Sequence, residues 1–244
     1  MFLSNKYIAR LYQYELIALA FLLPIYRKVI PYAIALIVVT WFLEGDFMAK
    51  IKRVVNSRHR RYTLLFASLY VVYAIGLLYT ENLGVGFFDL EVKLSLFIFP
   101  VVFSSLLPEV FTPVRARGVL WAFVFGVFAS MLLCYGVALS DYIKSGSLTA
   151  FYYNRLSVLI HPSYLSMYTS FAIAILLYFL YRGFIIGRIR QGLAILLVMM
   201  FGFFVVMLSS KAGILGLAFI IALFAAYLIL AERKPVKGLL SGMA

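Results

Sequence analysis

Charged side chains are scarce in this sequence: 13% of 244 residues, against 65% hydrophobic, with a mean hydropathy of +1.04. An ordinary soluble domain carries about 25% charged residues, so that class is excluded. Cysteine is scarcer still. The single Cys134 cannot form a disulfide within the chain, and its place inside an apolar run reads as a small buried side chain. Two histidines, His59 and His161, are too few for a His-rich metal site, and no metal or cofactor is expected. Walker A, glycine-rich dinucleotide, CxxC and HExxH patterns are all missing, which argues against a self-contained ATP-driven pump. No internal repeat is evident. Acidic residues number nine against 22 basic ones. That balance would fit nucleic acid in a soluble protein, but its distribution fits membrane topology, and no nucleic-acid partner is expected.

What the sequence does have is long uncharged runs. Gly118–Ser140, His161–Tyr181, Gln191–Ser210 and Ala212–Ala231 contain no Asp, Glu, Lys or Arg. About 20 such residues in one helix cross a bilayer core, whereas barrel strands need only about 10 and alternate in polarity. Helices satisfy their own backbone hydrogen bonds in lipid, so the expected fold is all-α: a polytopic transmembrane helical bundle. The runs predict about eight spans, near 11–26, 29–44, 62–79, 93–107, 118–140, 163–181, 191–208 and 212–231, in a single transmembrane domain over 1–244. Pro24, Pro31 and Pro100 interrupt the shorter ones. Tyr70, Tyr73, Tyr79, Tyr178 and Tyr181 sit at run ends, where an amphipathic ring suits the lipid–water boundary. The basic start followed by an apolar stretch reads as a first span, because no small-residue cleavage site follows it.

Charge then sets the direction. With a cytoplasmic N-terminus, every basic residue except Arg27, Lys28, Lys93, Lys144, Arg155 and Lys211 falls on the cytoplasmic side. The positive-inside rule therefore places both termini in the cytoplasm. The basic segment Lys50–Arg61, with His59, reads as a cytoplasmic loop lying against anionic lipid.

Three segments face outward in this topology. Thr80–Val92 is a glycine-containing acidic loop. Asp141–Tyr164 is the longest connection; in it Tyr152, Tyr153, Asn154 and Arg155 have the aromatic, amide and cationic character that suits sugar binding, and His161 could serve as a base. The alternative is an interfacial loop anchored by its tyrosines, with His161-Pro162 starting a helix. Ser209-Ser210-Lys211 is a tight turn before the last span. Free backbone N–H groups, hydroxyls and an ammonium together suit an anion such as phosphate. Equally, Lys211 could snorkel to the interface and fix helix depth.

The segment YNRLSVLIHPSYLSMY (153–168), the run-and-turn MLSSKAGILGL (207–217) and the earlier GLLYTENLGVGFFDLEVKLSLFIFPVVF (76–103) together resemble the O-antigen ligase and polymerase superfamily. The resemblance implies a bacterial inner-membrane glycosyltransferase that takes a glycan from undecaprenyl diphosphate at the periplasmic face and passes it to a hydroxyl of lipid A–core or another glycan. It implies no metal. It implies a donor-binding role for Lys211, where the family often has Arg, with Ser209 and Ser210 beside it and Tyr153, Asn154 and Arg155 as further substrate contacts. A lysine there keeps the charge but loses the guanidinium fork. The catalytic base stays unassigned: His161 is a candidate but lies in a different loop from the family's histidine. Family members continue for several more helices, so the expectation is a chain incomplete relative to them and lacking ligase activity alone. The competing readings are a secondary transporter or glycan-lipid flippase, disfavoured because mid-span charges are nearly absent, and a non-catalytic membrane component of envelope polysaccharide assembly.

Overall fold

A computed structural model describes residues 5–56 and 60–232. Arg58, Arg233, Lys234 and Lys237, used above for sidedness, and His59 lie outside the described residues. The rest is helical with no strand among the described residues: α1 (Asn5–Leu22), α2 (Ile30–Glu44), α3 (Phe47–Asn56), α4 (Arg60–Gly76), α5 (Leu83–Lys93), α6 (Ser95–Ser105), α7 (Pro113–Ser145), α8 (Tyr153–Leu156), α9 (Pro162–Tyr181), α10 (Arg188–Met207) and α11 (Lys211–Glu232). Length and composition qualify four helices as membrane spans: Arg60–Tyr79, α7, α9 and α10. A fifth qualifies if Arg27–Glu44 and Phe47–Asn56, bent by 109°, count as one span. These helices mark a membrane protein. They cover the expected spans 62–79, 118–140, 163–181, 191–208 and, in the bent pair, 29–44. The expected span 212–231 falls on α11, whose stretch Lys211–Tyr227 is apolar. The expected 11–26 and 93–107 fall on α1, which carries Lys6, Arg10 and Glu15, and on α6, which has only 11 residues.

The chain clusters into two compact units, one from the described residues of Met1–Leu16 and Pro31–Arg117, the other from those of Ile17–Ile30 and Gly118–Ala244. In the second unit α7 runs 33 residues, roughly 50 Å at 1.5 Å per residue. Val124, Val127, Met131, Cys134 and Ala138 recur every three or four positions on it and are all buried. Leu165, Thr169, Ala172, Leu176 and Phe179 do the same on α9, and Phe201 and Phe204 on α10, with Leu208 just past its end. These stripes form one core. The opposite faces expose Phe125, Leu132, Leu133, Leu193, Met199 and Phe203. Such helices, apolar all round, suit lipid rather than water.

Small residues let backbones meet. On α7, Ser130 Oγ donates to the carbonyls of Pro24 (2.8 Å) and Gly126 (2.9 Å), where the chain leaves α1. Gly213 on α11 faces Ser166 so closely that an added Cβ would overlap its side chain. Both are small-residue contacts of the kind that bring membrane helices together.

In the first unit, two segments expected to be loops are helices. Thr80–Val92 forms most of α5, started by Asn82 Oδ1 accepting from Val85 N at 3.1 Å. Lys50–Asn56 belongs to α3 and Arg60–Arg61 to α4. Gly45 (φ +66°) and Asp46 (φ +48°) make the sharp bend between α2 and α3, and Asp46 Oδ1 accepts from Ala49 N at 3.4 Å.

Candidate functional site

One end of the second unit gathers four of the side chains expected from the sequence. The turn between α10 and α11 (Ser209, Ser210, Lys211, Ala212) meets the start of α9 (Ser163) and the start of α8 (Tyr153) around a cavity of about 550 Å³. Local geometry explains why the turn closes. Leu208 N bonds back to Phe204 O at 2.9 Å, and Ser209 then turns the chain at φ +46°. Ser210 caps the new helix: its backbone oxygen accepts from Ile214 N at 2.9 Å and its Oγ from Gly213 N at 3.4 Å. The same buried hydroxyl reaches Ser163 Oγ at 3.2 Å and ties α11 to α9.

Lys211 is therefore the first residue of an apolar helix of 22 residues, exposed at the positive end of its dipole. It joins no ion pair among the described residues. A cation gains nothing from its own helix here. With the N–H groups of the helix's first turn it forms a positive rim to the cavity, beside Tyr153 and Ser209, whose hydroxyl donates to the Val206 carbonyl at 3.1 Å. Tyr153, like Ser209, has a positive φ (+48°). A non-glycine residue in that region costs of order 1–3 kcal/mol, and such strain clusters where a site over-determines the backbone.

Three other candidates lie outside this lining. Arg155 is exposed and donates to Thr149 Oγ1 at 2.7 Å. Asn154 is exposed beside it. His161 begins α9, its Nδ1 accepting from Ser163 N at 3.3 Å, with its ring edge-on to Tyr164 at 6.2 Å. That is the helix-starting role weighed against a catalytic one. Ser163 was missed by sequence reasoning; its position directly after His161-Pro162, in the first turn of the helix, was the available signal.

The first unit holds a second polar cluster that the sequence concealed. Glu44 accepts from Tyr12 Oη at 3.0 Å and Arg53 at 2.9 Å, and lies 3.4 Å from Lys50 Nζ. Lys50 is buried, donates to the Trp41 carbonyl and sits 4.4 Å over the Trp41 ring. It is no loop residue. Nearby, buried Glu15 accepts from Thr40 through Oε1. Glu15 falls inside the expected span 11–26, one of the few charges in the expected spans.

No family model, curated protein or solved structure matches this chain.

Proposed function

We propose that this chain is an O-antigen ligase-like protein of the bacterial inner membrane, whose cavity at the start of α11 takes the diphosphate of an undecaprenyl-linked glycan. The observation that supports this reading is the convergence of Lys211, Ser209 and Tyr153 on one cavity at a helix N-terminus. An ammonium, hydroxyls and free backbone N–H groups are the chemistry that holds phosphate oxygens. In this reading the eight apolar runs each enter the bilayer, both termini are cytoplasmic, and the cavity opens toward the periplasm. The anomeric carbon of the glycan leaves the phosphate oxygen and bonds to a hydroxyl of lipid A–core or another glycan, and that hydroxyl's proton passes to water or the released diphosphate. Undecaprenyl diphosphate is a good leaving group, so the protein's work is to hold the phosphates and align the acceptor.

The test is binding of undecaprenyl diphosphate to the purified chain in nanodiscs, followed by native mass spectrometry. Lys211→Ala is expected to weaken binding about 10- to 100-fold, the range for a lost charge-assisted hydrogen bond. Lys211→Arg should keep most of it. Undecaprenol, which has the lipid without the phosphates, should bind no better than to Lys211→Ala. Equal affinity of wild type and Lys211→Ala for the diphosphate would remove the reading and leave Lys211 as a depth anchor.

A further inference from the structure

We propose that Glu15 is a proton-binding site: its carboxyl, held between α1 and α2 by the Thr40 hydroxyl alone, takes up and releases one proton. The residue is 5% exposed. Oε1 accepts from Thr40 Oγ1, while Oε2 is buried with no hydrogen-bond partner. Among the described residues no Lys, Arg or His nitrogen comes within 4.0 Å of either oxygen.

The contrast with Glu44 in the same unit is what carries the argument. Glu44 receives Tyr12, Lys50 and Arg53. Glu15 receives one neutral hydroxyl. An ionised carboxylate buried with one neutral partner is far costlier than the neutral acid, whereas an anion with two cations and a phenol is not.

The charged groups on the neighbouring elements are already paired with one another. Tyr12 lies on its own helix, Thr40 and Glu44 come from α2, and Lys50 and Arg53 come from α3. Both cations are paired with Glu44, and Asp46 at the bend also acts on Lys50, so these four groups together carry no net charge and offer Glu15 no counter-ion. A proton fits better than a divalent cation, because no three His, Cys, Asp or Glu side chains gather among the described residues. Only the Oε2–H bond is made or broken, and the proton is exchanged with the aqueous phase.

Infrared difference spectroscopy of wild type against Glu15→Gln, on the full chain in nanodiscs, tests this. The wild type should show a carboxylic-acid carbonyl band at neutral pH that is missing from Glu15→Gln. Raising the pH should convert it to a carboxylate band over a single-proton titration. A wild type with only the carboxylate band at neutral pH overturns the proposal, and so does an acid band that persists unchanged into strong alkali. If Glu15→Gln fails to fold, Glu15→Asp carries the test: it should keep an acid band, shifted in frequency and midpoint, and a spectrum identical to wild type would assign the band elsewhere and sink the idea.

Discussion

Glu44→Ala is expected to destabilise the first unit by about 3–5 kcal/mol, the range for removing one partner of a buried ion pair. The Glu44 and Lys50 side chains are 6% and 2% exposed. Removing the carboxylate leaves an ammonium with a carbonyl and two aromatic faces but, among the described residues, no anion within ion-pair distance, together with a buried phenol that has lost its acceptor. Arg53 can turn toward solvent; Lys50 is held beneath the bend at Gly45-Asp46 and cannot do so cheaply. The size of the loss therefore reflects the stranded charge rather than the worth of the pair. Adding Lys50→Met to Glu44→Ala should recover a large part of it, since an apolar chain of similar length refills the space. Unfolding in mixed micelles measures both variants. A loss below about 1 kcal/mol for Glu44→Ala would mean that water already reaches the cluster, as at exposed pairs.

The same cluster shows what the sequence could and could not disclose. Uncharged runs over about 20 residues are a direct consequence of lipid as solvent, so α7, α9 and α10 were legible from composition. The meeting of Lys211 with Tyr153 was legible in part, because a three-residue reversal after α10 starts α11 at the end where α9 begins. Arg155 and His161 were not separable from Tyr153 by residue type; whether each side chain reaches the cavity or bonds locally depends on backbone detail at Tyr153 and Pro162. In the first unit the signals misled. A run of basic residues after an apolar run reads as a cytoplasmic loop, yet Gly45-Asp46 folds that run back as α3 and buries Lys50 against Glu44. Linear patterning cannot see this pairing, because it depends on a single bend of 109°.

Gly126→Leu is expected to be the most damaging substitution in the second unit, and the reason is geometric. A Cβ at 126 would stand 3.0 Å from the Phe21 carbonyl carbon and 3.1 Å from its Cα, and nearer still to its oxygen. Those are backbone atoms, which cannot swing aside as a side-chain end can. The chain at the end of α1 must lift from α7, and Ser130 then loses its bond to Pro24 O one turn further along. Even Gly126→Ala should cost about 1–3 kcal/mol by overpacking, and Leu more. Ser130→Ala, which removes the hydroxyl without a clash, should cost about 0.6–1.7 kcal/mol. Gly136→Ala on the same helix is the control: a Cβ there meets nothing within 4 Å, so alanine's better helix propensity should leave stability unchanged or raise it by up to about 1 kcal/mol. Together the three variants separate a general intolerance of α7 to substitution from a specific backbone contact. If Gly126→Ala and Gly136→Ala unfold alike in mixed micelles, α1 does not seat on Gly126, and the small-residue contact at Gly126 and Ser130 has no part in holding this unit together.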